Sequence, residues 1–195
     1  TRYVDAASGY IITRIDENDY SEPYSSHYDH DVNDYYDGVL ISDYNKGFLT
    51  ELDIQKISIE ALNKGIPVFL DTKKMLGSWS TPVSFVKINE KEYLQQKAVY
   101  QWPENLCKSL IVTLGSKGAK CFVPNIEMPV DPIAVSDVSG AGDTFLAAFA
   151  IGYVKHFNNG LGHLGAVGQA MFFANRAARI AVSKRGVVAV NREEV

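Results

Sequence analysis

From residue 35 onward, short apolar runs alternate with longer mixed stretches. The runs begin at Val39 (VLIS), Val68 (VFL), Phe85 (FVKI) and Leu110 (LIVTL). Together they are rich in β-branched residues, and each closes on a polar residue or glycine, as strands buried on both faces of a parallel sheet do. Between the first two, residues 51–64 carry Leu52, Ile54, Ile57, Ile59, Ala61 and Leu62. That spacing predicts a helix with one apolar side, stopped by Gly65 and Pro67. A strand-to-strand interval of about thirty residues fits a βαβ unit.

Past the fourth run, residues 115–118 read as a turn into a hairpin strand over 120–123. Residues 144–153 (TFLAAFAIGY) are apolar nearly all round, which predicts a core helix. A second long helix is expected over 165–183, with Gly186 ending it before a short terminal strand at 187–190. Residues 1–34 break the rhythm. Partial alternation over 3–15 suggests one or two strands of a flanking sheet, and 21–37, dense in Tyr, Asp, His and Ser, reads as a solvated loop leading into a helix. The chain therefore divides into a flanking segment, 1–34, and a main α/β part, 35–195.

Composition narrows the class. Of the 195 residues, 46% are hydrophobic and 22% charged, which suits one soluble domain with a real core. No apolar run is long enough to span a bilayer, and no secretion signal is visible. Cys107 and Cys121 follow no metal-ligand spacing and are too few for a disulfide framework, so a reducing, cytoplasmic setting is expected. A net charge of −4 without a basic stripe argues against a nucleic-acid partner. It leaves a phosphorylated small molecule open, because such a ligand needs only a local cradle. Thr1 stands where a Met would open a gene product and enters mid-pattern, so the chain is expected to be processed or part of a longer one.

The chemistry concentrates at 137–143, DVSGAGD, directly before the apolar helix. Small residues before a helix leave backbone N–H groups converging on one spot, where the helix macrodipole adds positive potential. Gly140, Ala141 and Gly142 thus read as an anion-binding nest able to neutralise charge on a moving phosphoryl group. Asp143, in the first helical turn, could accept the proton of an attacking hydroxyl. By itself the same motif also reads as a tight turn whose Asp stabilises a helix start.

DVSGAGDTF resembles the C-terminal signature of the ribokinase-like, or PfkB, sugar kinases. Four further stretches resemble that family in the same order. SDYNKG (42–47) with FLDTKK (69–74) is similar to its heptose-phosphate kinase branch, as is Val138. KINEKE (87–92) resembles the Asn-x-x-Glu motif, VTLGSKGA (112–119) the nucleotide-binding turn, and ANRAARIAVSKRG (174–186) the helix and loop over the adenine. The resemblance implies a three-layer αβα fold with a mainly parallel central sheet, here without the family's N-terminal half. It implies an ATP-dependent sugar kinase transferring the γ-phosphoryl group to a sugar or sugar-phosphate hydroxyl, a heptose 7-phosphate among the candidates.

Carried onto this sequence, the resemblance makes Asp143 the base and Gly140, Ala141 and Gly142 the anion hole. Asn89 and Glu92 would organise Mg²⁺ and phosphate through water. Thr113 and Gly115 would line the ATP phosphates and ribose, with Asn175 and Ala178 near the base. Asp137 and Ser139, with the loop at 183–186, match positions where some relatives hold K⁺.

Several residues have two readings. Asn89 and Glu92 also form a capping box. Asp43 and Asp71 each close a strand at the edge where α/β sheets bind ligands, or are polar loop residues. Lys73 and Lys74 are phosphate contacts or a solvated pair. His27 and His30 lack ligand partners at diagnostic spacing and read as an exposed loop. A Rossmann dehydrogenase is disfavoured, because its glycine fingerprint belongs after the first strand.

The sugar-holding motifs of the family have no match in residues 1–34, which instead resemble the lid strands after that half. An exposed sheet edge is therefore expected, covered by the missing half or by another copy of the chain. The alternative to an enzyme is a truncated, non-catalytic nucleotide-binding module of the same fold.

Overall fold

The computed structural model describes residues 2–6, 11–15, 17, 19–24 and 36–195. His27, His30 and Tyr35 lie outside the described residues, as does most of the segment expected to lead into a helix. Two short strands, β1 (Arg2–Val4) and β2 (Ile11–Arg14), pair antiparallel as a separate ribbon. The main sheet has six strands in chain order: β3 (Val39–Asp43), β4 (Val68–Thr72), β5 (Phe85–Asn89), β6 (Leu110–Thr113), β7 (Ala119–Cys121) and β8 (Ile126–Met128). The first four run parallel, and β7 and β8 return antiparallel.

Helices cover both faces, because each central strand alternates its apolar residues between two cores. Phe69, Phe85 and Ile111 pack against α3 (Ala141–Asn158) and α4 (Gly162–Ser183). Val68, Leu70, Val86, Leu110 and Val112 pack on the opposite side with Ile54 and Ala61 of α1 (Glu51–Asn63). Tyr93 of α2 (Glu90–Val99) adds to that second layer. An aromatic cluster anchors the first core: Phe149 lies 5.1 Å from the Phe85 ring and 6.0 Å from Phe69. The helices α3 and α4 approach closely at Gly152, where a Cβ would come within 3.1 Å of Ala170 Cα. A side chain there would push the pair apart.

Several expectations change in detail. The terminal strand expected at 187–190 does not form. Neither edge strand of the main sheet, β3 or β8, pairs with it, and Val187 is exposed. The apolar side of α1 is narrower than the residue list suggested. Ile54, Ser58 and Ala61 form the buried stripe, whereas Leu52, Ile59 and Leu62 fall off that helical period and face outward. Strand β8 and helix α2 were not anticipated as elements. No helix among the described residues is long and apolar enough to cross a membrane.

Candidate active site

Strand register builds the floor of the site. Leu40, Phe69 and Phe85 lie side by side on the face that α3 covers, so the residues two positions on, Ser42, Asp71 and Lys87, form the next row. That row is polar and sits under the first turn of α3. Lys87 is only 3% exposed, and its Nζ lies 2.6 Å from Asp71 Oδ2. Removing either partner of such a pair would strand a buried charge, whereas the intact pair holds both groups in place.

Gly142 rests directly on this lysine. A Cβ at that position would meet Lys87 Nζ at 2.7 Å, so a side chain there would force the paired ammonium or the loop to shift. Gly140, the N-cap of α3, has φ of 77°, a left-handed conformation that glycine adopts at little cost. No side chain caps this helix. The Ala141 N–H is directed at Val138 O, 3.3 Å away. Among the described residues, the N–H groups of Gly140, Gly142 and Asp143 donate to no carbonyl or side chain. Of the three amides expected to form the nest, those of the two glycines are open and Ala141's is turned into the loop.

Asp143 projects from that first turn toward the strand ends. Tyr44 Oη donates to both of its carboxylate oxygens, at 2.9 and 2.8 Å, and Ser42 Oγ approaches to 3.4 Å. Burial, then the hydrogen bond and charge of Asp143, raise the Tyr44 phenol above its ordinary pKa, so it stays a neutral donor. A hydroxyl thus already sits on this carboxylate.

Around this centre the remaining candidates separate. Asn89 and Glu92 make both bonds of a capping box: Asn89 Oδ1 accepts from the Glu92 N–H (2.9 Å), and Glu92 Oε2 accepts from the Asn89 N–H (2.8 Å). Glu92 Oε1 accepts from Lys73 Nζ at 2.7 Å, and Lys73 lines the polar cavity. Burial alone would lower the Lys73 pKa, but the Glu92 hydrogen bond and the charges of Asp71 and Glu92 outweigh it and raise it. Asp43 is engaged by its own chain, through Lys74 Nζ (2.7 Å), Thr72 Oγ1 (2.8 Å) and the Asn45 N–H (3.0 Å). Lys73 and Lys74 are therefore both paired with carboxylates and do not form a solvated pair.

Two adjoining cavities meet at Thr113, Val138 and Gly142. One, of about 660 Å³, is polar and holds Asp71, Lys73, Lys87 and Asp143. The other, a slot of about 260 Å³, runs past Gly115 between α3 and α4, with Ala178 and Asn175 on one wall. Asn175 Nδ2 donates to Met128 O at 2.9 Å, tying α4 to β8. Asp137 joins two loops, taking the Ser139 N–H at 2.8 Å on Oδ1 and the Gly186 N–H at 3.2 Å on Oδ2. Among the described residues, no three His, Cys, Asp or Glu side chains converge as a metal cage. Asp71 Oδ1, however, is buried with no hydrogen-bond partner, and only the ion pair to Lys73 Nζ, at 3.6 Å, reaches it among the described residues. That oxygen suits Mg²⁺, which binds through one or two carboxylates and completes its shell with phosphates and water.

Two residues of this geometry were not singled out from the sequence, Tyr44 and Lys87. Tyr44 lies inside SDYNKG, and Lys87 two positions before Asn89 on the same strand face. The parity 85, 87, 89 was the available signal for Lys87. Asp71, a candidate at the ligand-binding strand edge, takes its place beside Lys87.

The architecture is the ribokinase-like α/β fold. The sequence profile of the pfkB family carbohydrate kinases matches residues 49–194, and the chain belongs to that family. It is 34% identical over 178 residues to the bifunctional protein HldE of Syntrophotalea carbinolica, covering 83% of this chain and 35% of that protein. Among solved structures, the ribokinase of Arabidopsis thaliana complexed with ribose and ATP is similar at 26% identity. Its TM-score is 0.60, over 76% of this chain and 51% of that one. Phosphofructokinase-2 from Escherichia coli in complex with potassium shares the fold, at 16% identity and a TM-score of 0.62, over 80% of this chain and 53% of that one. The chain spans about a third of the curated relatives' length and about half of the structural neighbours'.

Proposed function

We propose that this chain is the nucleotide-binding part of an ATP-dependent sugar kinase that phosphorylates a hydroxyl of a sugar or sugar phosphate. The observation that carries the reading is the Asp143 carboxylate, at an uncapped helix start, with the Tyr44 hydroxyl 2.8 Å away. An acceptor hydroxyl taking that position gives its proton to Asp143 as its oxygen attacks phosphorus. The open amides of Gly140, Gly142 and Asp143 orient the anionic oxygens, helped by the dipole of α3. Lys87 lends positive charge from below, and Lys73 faces the same cavity.

Asp71 and Glu92, with Asn89 fixing the latter, are the residues that would hold Mg²⁺, which when bound neutralises phosphate charge. Thr113, Gly115, Asn175 and Ala178 line the slot assigned to the nucleoside. Asp137 and Ser139 stay the positions proposed for K⁺, beside the 183–186 loop. Asp43 acts by bracing Lys74 and the loop before Asn45 rather than by a spare oxygen of its own. A heptose 7-phosphate as acceptor rests on the likeness of SDYNKG and FLDTKK to that branch.

Substrate closure belongs to segments beyond the main sheet. The 1–34 segment is the proposed lid, and edge strand β3, with Leu40 exposed beside Ile151 of α3, is the surface for a further half or a second copy. Sedimentation of the chain as a stable monomer, with full sugar kinase activity, would remove that part.

The deciding experiment measures ADP release over a panel of sugars and sugar phosphates, in the full-length protein, for wild type and Asp143→Asn. Loss of the base should lower kcat by about 10²–10⁴ with little change in ATP affinity. Unchanged turnover would eliminate Asp143 as the base.

A further inference from the structure

Residues 175, 178, 179 and 182 of α4 recur at one-turn spacing, and all four line the slot beside α3. The slot's lining combines two chemistries. Thr113 and Gly142 stand under the open amides of α3, where a phosphate is favoured. Val130, Pro132, Ile133, Val135 and Val182 give the slot apolar walls suited to a flat base.

Among the described residues, two charged ones line this slot, Asp131 and Arg179, and Asp131 is exposed. Arg179 stands about one turn before Val182 on α4, and both line the slot. The Arg179 Nε is shielded from solvent and has no hydrogen-bond partner among the described residues. A buried donor left in that state is costly unless something supplies an acceptor. Asn175, the other polar side chain on the stripe, gives one of its two Nδ2 N–H groups to Met128 O, which ties it to β8.

Arginine is donor-only, with its N–H groups in a fixed fork. A 6-oxopurine offers two adjacent acceptors, O6 and N7, that match this fork, whereas adenine offers N7 beside a donating amino group. We propose that Arg179 reads the six-position of the purine, so that the slot accepts guanine and hypoxanthine nucleotides at least as well as adenine nucleotides. This rests on the slot being the nucleotide site.

The test is calorimetric titration of the chain with Mg²⁺ complexes of ATP, GTP and ITP, for wild type, Arg179→Met and Arg179→Lys. The wild type should bind GTP and ITP as tightly as ATP or tighter. Arg179→Met, which keeps the apolar stem, should weaken GTP and ITP by about tenfold or more and leave ATP within about threefold. Arg179→Lys should lose the same preference, because the charge remains but the fork does not. Wild type that binds ATP but takes GTP and ITP far more weakly would overturn the inference and spare the nucleotide reading. Equal weakening of all three nucleotides by both variants would also overturn it, marking Arg179 as a phosphate contact or a structural residue. If none of the three binds, both readings fall.

Discussion

Helices α1 and α2 begin differently from α3, although all three start toward the carboxyl edge of the same sheet. Thr50 and Asp53 close α1 with a reciprocal pair of hydrogen bonds, and Asn89 and Glu92 do the same for α2. Helix α3 starts from Gly140 with no side-chain cap, and three amides there find no acceptor among the described residues. The contrast is not one of weak against strong helices. Helix α3 buries Phe145, Leu146, Phe149 and Tyr153, while α2 buries only Gln96. The best-anchored helix can leave its first turn bare because core packing, rather than capping, holds it. A bare start on a rigid helix, set over a buried lysine, is what an anionic ligand requires.

The comparison can be broken from either side. The largest effect belongs to Asp143→Asn, whose loss of about 10²–10⁴ in kcat should come without loss of fold. Gly142→Ala comes next. The new methyl would meet Lys87 Nζ, and relieving that contact should cost about 1–3 kcal/mol in urea unfolding and weaken nucleotide binding as well. Thr50→Ala removes a cap at a closed start, so it should cost about 1 kcal/mol in the same assay and leave nucleotide affinity unchanged.

The smallest effect concerns Tyr44→Phe. Because the folded-state pKa of Tyr44 is raised above 10.0, its bond to Asp143 contributes stability below that value and loses it as pH climbs past the folded pKa. The melting temperatures of wild type and Tyr44→Phe should therefore differ at neutral pH and converge in strong alkali. A constant gap at all pH values would show that the bond to Asp143 is not the source.

The four parallel strands were legible because β4, β5 and β6 are buried apolar runs and β3 carries a similar apolar run. Helix α2 was not, since EKEYLQQKAV is polar on nearly every side and only its cap betrayed it. Strand β8 is three residues long, too short for a period. The strand expected near the C-terminus had the right residues but pairs with neither edge strand, β3 or β8, a tertiary condition no local pattern records.

The site divides in the same way. Residues 137–143, Asn89 and Glu92 are contiguous in sequence or fixed by helix spacing, so they could be read directly. Lys87 under Gly142, Tyr44 on Asp143 and Arg179 in the slot come from register and packing between distant segments. They became visible only once the strands were aligned. The two cysteines show how burial alone governs a side chain outside the site. Both are buried, and burial pushes the Cys107 thiol up to about 12, which removes it as a nucleophile.

The account turns on the open amides at the start of α3, and backbone ¹⁵N–¹H spectra of the chain titrated with Mg²⁺–ATP address them directly. The Gly140, Gly142 and Asp143 signals should move together and saturate with nucleotide, while the capped Asp53 amide of α1 stays fixed. Saturable ATP binding with those three amides unmoved would contradict the account.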